Sequence, residues 1–233
     1  MLEQEFGYKP PIPQDIQSRY EAALHGVLRW QNGPWADNVY ETNMDHVARM
    51  FLILSDIKKD CLNLSSEIDI PTVEHMVYIH DAGEILVGDL THDRDDYESL
   101  RNRWKKREHA AFILLTQQIQ NLDVKLKTRE LYRRCVTKGE DDKEAQLTDL
   151  VDKLQGARFG FERVFNGKNM TDEQRQIRMS LTVELLSKPT TTLLKLVSKE
   201  TQNNLKCFLR SEFERFARCG YHKEIASLNA IVQ

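Results

Sequence analysis

Apolar residues in this chain recur at the spacing of a helix and do not alternate as they would along a strand, which confines the fold to packed helices. Met44, Val47, Phe51, Leu54 and Ile57 form one stripe; Val73, Met76, Val77 and Ile85 form a second, with Pro71 standing where a helix can begin. A third pattern runs from about residue 95 to 120 and carries Leu100, Trp104, Ala111, Leu114 and Leu115. A fourth runs from about 143 to 165 and meets a C-terminal stop at Asn166-Gly167. Later helices are predicted over about 172–187 and across roughly the last forty residues, interrupted near Pro189-Thr190-Thr191-Thr192 and at Cys219-Gly220. Four of the six prolines precede residue 40, so an extended opening followed by helices is the expected plan, and the fold class is all-α.

A length of 233 residues with a net charge of -3 fits one large domain, or a domain with a helical appendage, and bulk charge dictates no partner. Cys61, Cys135, Cys207 and Cys219 stand far apart without a Cys-x-x-Cys pair, which excludes a thiolate zinc site and a disulfide scaffold and predicts reduced, buried thiols. The opening Met1-Leu2-Glu3-Gln4-Glu5 lacks the basic start and apolar run of a signal peptide, and no apolar stretch is long enough to span a bilayer. A cytoplasmic protein with no membrane partner is expected. Neither internal repeats nor low-complexity tracts are present.

The chemistry-bearing residues are His46, the dipeptide His80-Asp81, and Asp152, each falling within a predicted helix. Imidazole nitrogens and carboxylate oxygens suit a divalent transition ion, and four such ligands leave open positions on an octahedral metal for water and substrate. His80 and Glu84, one turn apart, would share a helix face beside Asp81, with His46 supplied by the preceding helix and Asp152 by the fourth. A His-Asp dipeptide alone is as readily a core or surface pair. The surrounding run from Tyr78 to Leu90 adds Glu84 and Asp89, with Ala82, Gly83 and Gly88 small enough to let a ligand approach.

That run, His80-Asp81-x-x-Glu84-x-x-x-Gly88-Asp89, resembles the HD-domain metal-dependent phosphohydrolases, and within them the 5'-deoxynucleotidase branch. The resemblance covers about residues 29–169. It implies a helical-bundle core over 29–169; outside the resemblance, an N-terminal extension and first helix are expected over 1–28 and a C-terminal helical extension packed on the core over 170–233. It further implies that His46, His80, Asp81 and Asp152 ligate one divalent metal, with Asp149, three residues earlier, the competing choice for the fourth place. Glu84 would handle the attacking water and Asp89 would complete the site near the phosphate ester. Arg29 would hold phosphate and Trp30 would line the nucleoside pocket. Val47, Gln31 and Thr91-His92 depart from the usual pattern, so base and sugar preference are not set by it.

The implied activity is removal of the 5'-phosphate from (deoxy)nucleoside monophosphates by metal-activated water. The alternatives are release of triphosphate from a dNTP on the same ligand set and, in another class, a helical module that binds nucleotides or protein without turnover. The ligand types admit manganese, cobalt, iron, nickel, zinc or magnesium. A nucleotide substrate and, from the resemblance, a dimer are expected. The basic run Arg101 to Arg107 around Trp104 is scattered by helical spacing and flanked by acids, so a solvated helix face is preferred to a nucleic-acid site. His25, His75, His92, His109 and His222 form no recognisable second metal set, and Trp35 and Trp104 read as packing residues.

Overall fold

The computed structural model describes residues 2–29, 41–88, 97–164 and 170–233. Among them the regular structure is almost wholly helical. The helices are α1 (Leu2–Phe6), α2 (Gln14–His25), α3 (Asn43–Asp60), α4 (Leu64–Glu67), α5 (Ile70–Ile79), α6 (Glu84–Val87), α7 (Tyr97–Thr116) and α8 (Leu122–Thr137). They continue with α9 (Lys143–Phe159), a π-helical turn (Gly160–Val164), α10 (Asp172–Leu196), α11 (Lys199–Arg218) and α12 (His222–Ile231). The one departure is an antiparallel pair of two-residue strands, β1 (Leu28–Arg29) and β2 (Glu41–Thr42), with Leu28 opposite Thr42 and Arg29 opposite Glu41. Elements this short carry no period-2 signal, which is why the sequence pattern does not announce them. No helix among the described residues is long and apolar enough to cross a membrane.

Two compact units divide the chain: Met1–Arg49 with Glu74–Thr137, and Met50–Val73 with Lys138–Gln233. In the first, α2 is fastened to α5 through tyrosines. The Tyr20 hydroxyl donates to the Tyr78 carbonyl at 2.9 Å, and the Tyr8 and Tyr20 rings lie 5.6 and 5.0 Å from that of Tyr78. Burial pushes the Tyr20 and Tyr78 phenols well above their ordinary range, so both stay protonated donors. Helices α7 and α8 form a hairpin in which Phe112 stacks on Tyr132 at 3.8 Å, while the Arg129 guanidinium donates to the Thr116 hydroxyl at 2.8 Å and the Ile113 carbonyl at 3.0 Å. Trp104 donates to the Gly88 carbonyl at 3.2 Å, tying α7 to the end of α6, and Arg107 stacks over its ring at 5.0 Å. Trp104 is thus a packing residue, and part of the basic run is committed to that contact.

In the second unit α9 is buried around most of its circumference, as Leu147, Leu150, Val151 and Leu154 show together with polar Gln146, Thr148 and Gln155. A helix buried on all sides is a central one, and α10 packs along it. Phe161, in the π-helical turn, stacks on Phe216 at 4.8 Å and lies 5.2 Å from Tyr221. Each ring so buried contributes about 1.5–3 kcal/mol. Arg158 donates to Glu212 at 2.6 Å, so this charge enters the interior paired. Glu67 accepts from the Ser198 backbone at 2.7 Å and from its hydroxyl at 2.6 Å, closing the start of α11.

Three expectations change here. Helix α10 does not end near Ser187 but runs through Pro189, because Leu186, Pro189, Thr190, Leu193 and Leu194 are all buried; that packing offsets the roughly 3 kcal/mol a proline costs inside a helix. Helix α8 has no counterpart in the sequence pattern. Its buried face is Thr128, Leu131, Tyr132 and Cys135, and the exposed Leu122 and Leu126 blur the stripe. Of the thiols, Cys61 and Cys135 are buried and burial pushes Cys61 up to about 11, but Cys207 is exposed.

His75 on α5 is buried in the first unit, and its Nε2 has no hydrogen-bond partner among the described residues. Burial, aided by the charge of Lys127, pushes this imidazole down to about 4. The unfolded chain therefore binds a proton that the folded chain refuses. Stability is intact above the unfolded value near 6.5 and falls as the pH drops toward 4. Urea unfolding at pH 7 and pH 5 should show a loss of about 2 kcal/mol that His75→Leu removes; equal losses in both proteins would show that His75 is not the group responsible.

Candidate metal centre

The site begins at the start of α3. Thr42 is its N-cap: the Asp45 backbone donates to the Thr42 hydroxyl at 3.0 Å, and the Thr42 backbone donates back to the Asp45 carboxylate at 3.2 Å. This reciprocal capping box fixes the first turn, on which Asn43 and His46 share a face three residues apart. Both are wholly buried. Arg49, one turn beyond Asp45, pairs with the buried Glu41 at 3.1 Å and holds β2 against the same helix.

His80-Asp81 is delivered differently from the expectation of a single continuous helix. Helix α5 stops at Ile79, His80 to Gly83 form a turn, and Glu84 opens the separate short α6. The backbone tightens to i+3 bonds, from Ala82 to the Ile79 carbonyl at 3.0 Å and from Glu84 to the Asp81 carbonyl at 3.0 Å. Within this turn stands Gly83, where a Cβ would be 2.5 Å from the Glu108 carbonyl and 2.7 Å from the Tyr132 hydroxyl. Only glycine admits this approach of α7 and α8. Two of the small residues of the run serve packing, since Gly83 is filled from outside and Ala82 is buried, while Gly88 takes a φ of 78° at the end of α6 and has open space where a Cβ would stand.

His46 Nε2 and His80 Nε2 face each other at 3.2 Å, and the Asp81 carboxylate lies 3.1 Å from His80 and 3.6 Å from His46. His80 Nδ1 is 2.9 Å from the Val77 carbonyl, which can only accept. Nδ1 therefore carries a proton, and Nε2 is the ring atom turned to the cluster, facing the Asp81 carboxylate. One donor atom from each of His46, His80 and Asp81 lies within 4.8 Å of the others. Two imidazole nitrogens and a carboxylate converging in this way fit a divalent cation.

Arg29, from β1, rests its guanidinium on the same Asp81 carboxylate. Burial alone pushes that carboxyl up, but the charges of His80, Arg29 and His46 outweigh it and hold Asp81 well below the usual carboxylate range. The ligand oxygen is thereby held ionised. Glu84 is half-buried and accepts from the Asn43 side-chain amide at 2.8 Å.

The first unit thus brings together Arg29, His46, His80 and Asp81, with Glu84 one turn beyond. Asp152 and its competitor Asp149 belong to the second unit, on α9. There Lys153 lies 2.6 Å from Asp152, and Lys138 is bonded to Asp149. Trp30, Asp89, His92 and Trp35 lie outside the described residues. Val47, which departs from the usual polar residue, is a core side chain. Two contributors escaped sequence reasoning. Asn43 could have been found from its i, i+3 relation to His46, whereas Tyr132 sits on the helix the pattern did not reveal.

A family model described as HD domain matches residues 23–190, well over half of the chain and spanning every residue of this cluster. The chain belongs to the HD-domain family. HD domains are typically metal-dependent hydrolases, and the His46, His80 and Asp81 arrangement is compatible with that chemistry. No curated protein and no solved structure matches the chain significantly.

The packing at Gly83 generates a direct prediction. Gly83→Ala should cost about 1–3 kcal/mol from overpacking and lower the unfolding temperature by several degrees. By displacing His80-Asp81 it should also weaken divalent-ion binding at least about tenfold in calorimetric titration. Unchanged stability and affinity would show that the turn does not depend on this contact.

Proposed function

We propose that this HD domain hydrolyses the 5'-phosphate of (deoxy)nucleoside monophosphates. The observation that carries the reading is the placement of Arg29 on the carboxylate of Asp81, which puts a permanent, planar cation beside the candidate metal ligands. Beyond holding Asp81 ionised, this cation suits a phosphate monoester dianion, whose peripheral oxygens match the guanidinium fork.

When bound by His46, His80 and Asp81, with Asp152 as fourth ligand by family resemblance, a divalent ion supplies charge neutralisation and a lowered pKa for water. The chain's own groups do the rest. Arg29 holds phosphoryl oxygens and turns the ester toward the cluster. Glu84 takes a proton as water oxygen attacks phosphorus, and a proton passes to the 5'-oxygen as the P–O bond to the nucleoside breaks. Asp89 acts beside the ester and Trp30 stacks against the nucleoside, both as implied by the family pattern. The bond from His80 Nδ1 to the Val77 carbonyl orients the ring so that Nε2 faces the cluster. A cytoplasmic setting and a dimeric assembly belong to the same reading.

Incubation with manganese or cobalt and a panel of nucleoside mono- and triphosphates, followed by chromatography of products, tests it. Orthophosphate and nucleoside should form from monophosphates. Glu84→Gln should lower kcat by about 10²–10⁴-fold, the usual contribution of a general acid–base, while metal content by elemental analysis stays at the wild-type level. Inorganic triphosphate as product would replace this reading with triphosphohydrolase activity, and no turnover of any nucleotide would favour a binding module.

A further inference from the structure

Asn43 is buried without residue at the first position of α3, one turn before His46 and on the same face. A buried amide is costly unless it is bonded. Its Nδ2 donates to Glu84 Oε2 at 2.8 Å, bridging 41 positions of sequence, while its Oδ1 has no partner among the described residues. A carboxylate that only accepts must be faced by the amide nitrogen, so the orientation of this side chain is determined by its partner. The capping box of Thr42 and Asp45 fixes the backbone on which Asn43 stands.

We propose that Asn43 is a positioning residue for Glu84. By donating to Oε2 it fixes the orientation of the carboxylate at the start of a four-residue helix. One helical turn then serves two purposes, sending an imidazole to the ligand cluster and an amide to the proton carrier, so that the two are set at a constant separation. This inference rests on the reading of Glu84 as the proton-handling group.

The test is a double-mutant cycle on the full-length, manganese-loaded protein, using the monophosphate that wild type cleaves fastest. Asn43→Ala should lower kcat about 10–100-fold, as loss of an outer-shell partner does, with KM within about twofold of wild type and metal content unchanged. In the Glu84→Gln background the same substitution should change kcat by less than about twofold, because the group it positions is already disabled. Asn43→Ser, which keeps a donor on a shorter arm, should fall between Asn43→Ala and wild type, and it replaces Asn43→Ala in the cycle if that variant does not fold. A readout independent of turnover is the Asn43 side-chain amide resonance of the magnesium-loaded protein, which should shift in Glu84→Gln. Equal losses in both backgrounds, a rise in KM alone, or an unmoved amide resonance would overturn the positioning role while leaving the hydrolase intact. A wild-type protein that cleaves no nucleotide would instead overturn the hydrolase reading and the positioning role with it.

Discussion

The first unit turns on a contact that Gly83 permits because it has no side chain of its own. Gly83 lets the Glu108 carbonyl and the Tyr132 hydroxyl come so close that a methyl group could not fit. That approach is made on the turn after α5, which ends at Ile79 and is followed by i+3 bonds. Residues on a 3₁₀-like turn are set about 120° apart, not 100°, which changes where His80, Asp81 and Glu84 point relative to one another. The turn that carries these donors is thus the one on which α7 and α8 pack against a glycine, and Phe112 stacked on Tyr132 holds that packing rigid.

Electrostatics then decides what the turn can do. Asp81 is taken out of water, which by itself would favour its neutral form, yet Arg29 and the two histidines hold it ionised. The protein spends folding free energy to keep charge here, since a partly buried carboxylate is tolerated only with such partners. Polar groups behave in the same way around it. His80 is aimed by a backbone carbonyl, Asn43 by a carboxylate, and Asp45 by the N-cap of its own helix. A cluster whose donors are each oriented by a second bond is pre-organised for a ligand and loses little freedom on binding one.

What could be read from sequence followed from the strength of each physical signal. The stripe from Met44 to Ile57 is long and regular, and every one of its apolar positions is buried in α3. The cluster of His46, His80 and Asp81 was legible because few residue types ligate metals and because His80-Asp81 opens a run that resembles the HD-domain pattern, although the two stand on a turn and not within a helix. Helix α8 was not legible, as its core face includes Thr128 while Leu122 and Leu126 face solvent. Pro189 suggested a stop because local propensity disfavours it inside a helix, and tertiary burial overrode that preference. The turn after Ile79 was hidden for a related reason: the contact made on it is with the backbone of Glu108, twenty-five positions from Gly83 in sequence. Asn43 drew no notice because an asparagine at a helix start has an ordinary capping explanation.

The central claim is that His46, His80 and Asp81 form a metal centre, and anomalous diffraction from crystals grown with zinc tests it most directly. The account predicts an anomalous peak at about 2 Å from His46 Nε2, His80 Nε2 and the Asp81 carboxylate, with His80 Nδ1 still bonded to the Val77 carbonyl. A map with no peak at these three residues, while the imidazoles remain in direct contact with Asp81, would contradict it.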